Sequence, residues 1–273
     1  RSSGFSVWQF LSPILLAAFT IGIVQVSMIN PMGALLLGKY EEMENIYLKR
    51  NKNEIAVFKE GLWLRQSMEE QEGYTVLHAG RIDQRNWMLE DVTVLNFDTD
   101  DRLAGRIDAD RARLENRSWV LENAVLQKQG GKGDDVPEYK MPTELTPQDI
   151  EDSFGSPESM SFWRLPGHIE TLEAAGFDAT RLKVHYQSLL AQPLLFLGMI
   201  LLAASVSMRP QRLRGTLMLI ALGISIGFAT FFLSSFLQAL GVSRQIPVFL
   251  AAWSPALICL LMGITMMLNF EDG

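Results

Sequence analysis

Gly215–Ser243 reads GTLMLIALGISIGFATFFLSSFLQALGVS, without a single Asp, Glu, Lys or Arg. About 20 helical residues cross the roughly 30 Å hydrocarbon core of a bilayer, so this run is long enough to span it. Arg209-Pro-Gln-Arg-Leu-Arg214 precedes it and Arg244 closes it. Working outward, three more charge-free intervals appear: Ser2–Gly38, Val184–Met208 and Gln245–Phe270. Buried helices of soluble proteins rarely stay apolar for so long, so four membrane spans are expected, centred on Ile14–Ile29, Leu194–Val206, Leu217–Leu237 and Phe249–Leu268.

The charge is segregated accordingly. The 273 residues hold 24 basic and 31 acidic side chains, and all but seven of these lie between Lys39 and Lys183. Soluble proteins carry charge over their whole surface, so a cytosolic globular enzyme is excluded. The lone Cys259 excludes a disulfide-stapled domain, and the net charge of −7 argues against nucleic-acid binding. The chain opens Arg-Ser-Ser-Gly without Met, and its first apolar run exceeds a signal-peptide core. It therefore reads as a fragment of a longer protein. Three arginines in the loop between spans two and three mark that loop as cytoplasmic. With four crossings, 1–38 then forms an end plus one span, 39–183 a large outside domain, and 184–273 three spans.

Within the outside domain short apolar runs alternate with turn residues from Glu54 to about Lys128, the pattern of β-strands. Trp87-Met-Leu-Glu-Asp-Val-Thr-Val and Trp119-Val-Leu-Glu-Asn-Ala-Val-Leu repeat at an offset of 32 residues. In the first copy Trp87 and Leu89 share one parity, while Val92 and Val94 have the other. A turn or bulge at Glu90-Asp91, matched by Glu122-Asn123, would return both pairs to one side. Repeated units of this kind predict a β-sandwich or jelly-roll with an apolar face. Trp63, Trp87, Leu89, Trp119 and Leu121 are either ordinary core or the lining of a groove. Farther on, Pro166–Ala175 predicts a helix ended by Gly176, with Asp178 as N-cap of the next helix, which leads into span two.

No catalytic chemistry emerges. Gly33-Ala-Leu-Leu-Leu-Gly-Lys39-Tyr40 nearly matches a phosphate-binding loop, but Tyr40 replaces the Mg²⁺-binding hydroxyl and a span precedes it. His78, His168 and His185 lack metal-ligand spacing, and Cys259 reads as an apolar packer. The spans hold no Asp, Glu, Lys or Arg of the kind that ion-coupled transporters and intramembrane proteases keep there. Their polar residues, Gln9, Gln25, Asn30, Gln192 and Gln238, suit hydrogen bonds between helices. Phe228, Phe231, Phe232 and Phe236 form one aromatic stripe on span three, suited to lipid contact, core packing or a lateral gate.

The whole chain resembles the LptF/LptG permeases of the bacterial lipopolysaccharide exporter, an ABC-type complex. The resemblance rests on Arg1-Ser-Ser-Gly-Phe5-Ser6, on Ile107-Asp-Ala-Asp-Arg-Ala-Arg-Leu114 followed by the Trp119 repeat, and most specifically on Gly176-Phe-Asp-Ala-Thr-Arg-Leu182, His185-Tyr-Gln-Ser188, Gln192-Pro193-Leu194, Arg214-Gly-Thr216 and Gly241-Val-Ser243 with Ile246-Pro247. This combination is more similar to LptG than to LptF. The resemblance implies an α-helical multi-span inner-membrane protein with an inserted all-β, LptA/LptC-like jelly-roll domain in the periplasm, two further spans preceding Arg1. It implies a transport subunit without catalytic residues, metal or cofactor of its own. ATP and Mg would act in a cytoplasmic ATPase dimer, engaged here through Arg1, Ser2, Ser3, Gly4 and Phe5. The implied partners are an LptF-like paralogous permease, LptC/LptA-like periplasmic jelly-roll proteins, lipopolysaccharide and membrane lipid. On this reading Phe228, Phe231, Phe232 and Phe236 line the lateral gate, Trp63, Trp87, Leu89, Trp119 and Leu121 the periplasmic groove, and Lys39 and Arg244 are candidate phosphate contacts. Two other readings compete: a mechanotransmission permease that drives a periplasmic partner without moving lipid, and a membrane-anchored enzyme with its site in the outer domain.

Overall fold

The computed structural model describes residues 7–44, 47, 54–67, 73–84, 86–128, 133–207 and 216–271. Two compact units emerge, one made of Arg1–Leu35, Met160–Leu165 and Thr180–Gly273, the other of Leu36–Ser159 and Pro166–Ala179. Met160–Leu165, inside the expected 39–183 block, thus groups with the helices.

Four helical stretches in the described residues are long and apolar enough to cross a membrane. The first consists of α1 (Val7–Val24), a π turn (Gln25–Ile29) and α2 (Asn30–Glu44). The others are α5 (Thr180–Ser207), α6 (Thr216–Val242) and α7 (Val248–Glu271). The π turn has a cause in the sequence. Pro31 has no N–H to give the carbonyl four residues back, Ser27, and its ring crowds that carbonyl. The helix widens so that Asn30 N–H reaches Gln25 O instead. The stranded Ser27 carbonyl accepts the indole N–H of Trp163 at 3.1 Å, and Asn30 Oδ1 accepts Phe162 N–H at 2.9 Å. Phe162 in turn stacks on Tyr186 of α5, with ring centroids 5.3 Å apart. These contacts explain why Met160–Leu165 sides with the helices.

Small residues set the closeness of the bundle. A Cβ on Gly198 of α5 would fall 2.7 Å from the backbone nitrogen of Leu260, and one on Gly263 of α7 would fall 2.6 Å from Leu201 Cβ. On α1, Gly22 meets Pro193 of α5 in the same way, at 2.6 Å. Lipid tails are as apolar as leucine, so close backbone approach supplies the dispersion contact that holds such helices together. Leu11, Leu201 and Met267 form the core where α1, α5 and α7 meet.

The second unit is one antiparallel sheet of seven strands in simple meander order: β1 (Glu54–Phe58), β2 (Gly61–Ser67), β3 (Tyr74–Asp83), β4 (Met88–Phe97), β5 (Leu103–Glu115), β6 (Ser118–Lys128) and β7 (Asp134–Pro142). The parity change expected at Glu90-Asp91 is present, but without the register shift of a bulge, and it runs across neighbouring strands. Pairs such as Ala79↔Val92 and Arg81↔Glu90, or Glu122↔Glu138 and Ala124↔Val136, flank a row that carries no pair: Gly80, Asp91, Asp110, Asn123 and Pro137. Asp91 and Asn123 adopt left-handed φ values of 53° and 54°. Buried side chains consequently step by three residues there instead of two: Ala79 to Ile82, Leu89 to Val92, Ala109 to Ala112, and Leu121 to Ala124. Pro137 occupies a gap in the ladder of an edge strand, where its missing N–H costs nothing.

This crease lets a single sheet curl over its own apolar face. Leu64, Leu77, Leu89, Val94, Ala112, Trp119 and Leu121 are fully buried, and Thr143, just past β7, donates to Gln66 of β2 at 2.8 Å. One folded sheet does the work that the sequence assigned to a sandwich or jelly-roll. Two short helices follow, α3 (Pro147–Asp152) and α4 (Leu165–Ala174). Gly176 ends α4 as expected. Its φ is +92°, its N–H bonds to Glu173 O, and Phe177 N–H bonds to Leu172 O, the paired bonds of a Schellman cap. The end carbonyl of Ala175 then accepts Ile82 N–H at 3.0 Å.

Candidate functional site

The membrane bundle is uneven. The Gly198 and Gly263 contacts bring α5 and α7 to backbone distance, whereas Gly223 and Gly227 of α6 have nothing within 4 Å of where a Cβ would stand. Only 6% of the apolar window of α6 is buried, against 33% for α5 and for α7. A cleft of about 280 Å³ separates α6 from α5 over one end of the pair, lined by Met199, Ala203, Val206, Leu219, Ile220 and Gly223 among others. The helix that carries the aromatic stripe is therefore the least buried of the four, although Gly241 near its end packs against Ala251 of α7.

The stripe itself faces outward. Phe228, Phe231, Phe232 and Phe236 are 69%, 68%, 64% and 53% exposed. Burying one such side chain is worth about 1.5–3 kcal/mol, so in water this face would be a strong aggregation site. In a bilayer it is stable, and it offers aromatic surface to an acyl chain or a partner helix. Of the spans' polar residues, Asn30 accepts the Phe162 N–H already described, while the indole of Trp253 donates to Gln187 of the His185–Ser188 motif. Cys259 is buried, 3.6 Å from the Thr230 hydroxyl.

The five groove candidates do not share one surface. Leu89, Trp119 and Leu121 lie at 0% exposure on the interior face of the sheet. Trp63 has the opposite parity on β2, is 38% exposed, and packs on His78 with ring centroids 4.3 Å apart. Trp87 is half-buried in the turn before β4, with φ +48°, so it stands outside the strand alternation that would have paired it with Leu89. The interior is not wholly apolar: Trp119 Nε1 and Gln66 Nε2 are buried donors with no hydrogen-bond partner among the described residues. Such groups cost about 1–3 kcal/mol each, and an incoming oxygen would relieve them.

Lys39 is exposed on α2, and Arg244 is exposed with a left-handed φ of 59° just after α6. Arg1, Ser2, Ser3, Gly4 and Phe5 lie outside the described residues, as does the Arg209–Arg214 loop. No trio of metal-ligating side chains occurs among the described residues.

The sequence model of one protein family, described as Lipopolysaccharide export system permease LptF/LptG, matches residues 1–269. The chain belongs to the LptF/LptG family. No curated protein matches it. Membership makes the chain a membrane-spanning transport subunit of the inner membrane, a component of the lipopolysaccharide export ABC transporter. It also identifies the architecture as that of an LptF/LptG permease, a helical membrane unit into which a β domain is inserted between the first two spans of this chain.

Proposed function

We propose that this chain is an LptG-type permease subunit. On this reading it pairs with an LptF-like paralogue, takes lipopolysaccharide sideways from the outer leaflet and passes it to its own periplasmic sheet. LptC/LptA-like proteins receive it there, and a cytoplasmic ATPase dimer, holding ATP and Mg, supplies the energy through the segment that includes Arg1–Phe5. The observation that carries the proposal is the outward aromatic face of α6 on an otherwise uncharged bundle. Phe228, Phe231, Phe232 and Phe236 form the moving wall of the gate, and Lys39 and Arg244 meet the phosphates of the passing lipid. Inside the sheet, acyl chains contact Leu89, Trp119 and Leu121 after the β1 and β7 edges part, with Trp63 and Trp87 at the margins.

Two substitutions test it. Phe232→Asp places a charge where acyl chains pass, which costs about 2.5–3.5 kcal/mol at mid-membrane. Export is expected to fall more than tenfold while the sheet stays folded, and unchanged export would remove Phe232 from the gate. Photo-crosslinkers at Phe232 and at Trp119 should both capture labelled lipopolysaccharide in the assembled complex.

The full burial of Leu89, Trp119 and Leu121 favours one competitor, a permease that transmits force to a periplasmic partner while its sheet never takes up lipid. Adducts at Phe232 without adducts at Trp119 would support that alternative.

A further inference from the structure

A second cavity lies within the membrane bundle, at the end where α6 meets α7. It has a volume of about 240 Å³. His185, Ser188 and Gln192 reach it from α5, spaced i, i+3, i+7 and so aligned on one helix face. Ser234 and Gln238 reach it from α6, one turn apart, while α7 contributes Ala252, Pro255 and Ala256. Among the described residues Ser188 Oγ is buried without a hydrogen-bond partner. No side-chain hydrogen bond ties Gln192, Ser234 or Gln238 to another described residue. An unsatisfied polar group at hydrocarbon depth costs several kcal/mol, so the buried Ser188 hydroxyl, with half-buried Gln192, Ser234 and Gln238 beside it, calls for a polar occupant.

The lining restricts what that occupant is. It contains no Lys, Arg, Asp or Glu, so it does not match a phosphate or a metal ion. The α7 wall is apolar, Ala252, Pro255 and Ala256; α5 adds Leu189, Ala191 and Leu195 beside its polar groups, and α5 and α6 together present hydroxyl, amide and imidazole groups that donate and accept. The volume has room for several waters, but those against the α7 wall would lack polar partners on that side. A pyranose ring has this split character, with a C–H face for the α7 wall and hydroxyls at its rim for Ser188, Gln192, Ser234 and Gln238.

We propose that this cavity binds an uncharged sugar ring of a glycolipid head group. The site is separate from the aromatic stripe, since Ser234 and Gln238 sit on the helix face away from Phe232 and Phe236. The proposal rests on the permease reading above in taking lipopolysaccharide as the glycolipid.

The test uses the complete permease complex with its ATPase in lipid nanodiscs, carrying a photo-crosslinking residue at Leu195, a lining position, or at Phe232. The probes are lipopolysaccharide and phosphatidylglycerol. Adducts from Leu195 are expected with lipopolysaccharide and not with phosphatidylglycerol. Combining Gln192→Leu with Gln238→Leu should lower them about tenfold, as the loss of two hydrogen bonds of roughly 0.5–1.5 kcal/mol each would. Adducts from Phe232 should persist and show that the variant is assembled. Ser188→Ala, a smaller change, should give an intermediate loss. Equal capture of phosphatidylglycerol, or no capture at Leu195 while Phe232 still captures lipopolysaccharide, would overturn the sugar site and leave the gate standing. Failure at both positions would overturn the permease reading and the sugar site together.

Discussion

Asp91 holds a left-handed conformation in the middle of a strand, a geometry that costs an L-residue roughly 1–2 kcal/mol. Its side chain is exposed, so substitutions there report on backbone geometry alone. Asp91→Val should destabilise the sheet by about 1–2 kcal/mol because a β-branched residue tolerates positive φ least; Asp91→Gly should be neutral or stabilising. Urea-dependent protease sensitivity of the sheet in intact membranes would order the two variants. Gly176→Ala meets a harder limit, since its Cβ would stand 2.1 Å from Ile82 O as well as at φ +92°. The sequence signalled both positions, through the parity break in the Trp87 repeat and through a glycine after an apolar helix. It held no sign of Ile82 as the backbone partner, because that contact joins residues 94 apart in number (Ile82 and Gly176). His168 offers a pH test. Burial holds its imidazole below the ordinary histidine pKa, so the folded state resists the proton that the unfolded chain accepts. Both states are neutral well above the ordinary value and nothing is lost there; the sheet unit should lose stability as pH falls below it. His168→Gln should flatten that part of the stability–pH curve, and an unchanged curve would assign the acid sensitivity elsewhere.

At the scale of elements, the four spans were legible because a charge-free run of helical length has few other solutions in a bilayer. Their packing was not. Gly198 and Gly223 look alike in sequence, yet one touches the backbone of α7 and the other faces open space. Gly198→Ala should therefore lower the thermal stability of the detergent-solubilised protein, with loss beginning at the α5–α7 contact. Gly223→Ala should be neutral or raise it, by up to about 1 kcal/mol of helix propensity. The π turn is a similar case. Pro31 was visible, but the indole that serves its stranded carbonyl comes from Trp163, more than 130 residues away in the chain. Trp163→Phe removes a hydrogen bond worth about 0.5–1.5 kcal/mol. Faster amide hydrogen exchange at Gln25–Asn30 is the expected result, and unchanged exchange would show that the turn stands without the indole.

For the whole molecule, the proposed topology is open to a direct check. In a Cys259→Ala background, a cysteine introduced at Ser153 should react with a membrane-impermeant maleimide added to intact spheroplasts, and one introduced at Gln211 should not. The reverse pattern would invert the orientation inferred from the three arginines. The sequence by itself determined the class of protein: charge segregation, four apolar runs and the β repeat are one-dimensional patterns that water and lipid sort directly. Tertiary structure decided which faces stay open. It placed three of the five groove candidates inside the sheet, left the phenylalanines of α6 uncovered, and gathered Ser188, Gln192, Ser234 and Gln238 around one cavity. The physical reason is that solvation acts on each residue where it stands in the chain, whereas burial and convergence depend on which distant backbones can approach. Here Gly198, Gly263 and the creased row from Gly80 to Pro137 set that approach.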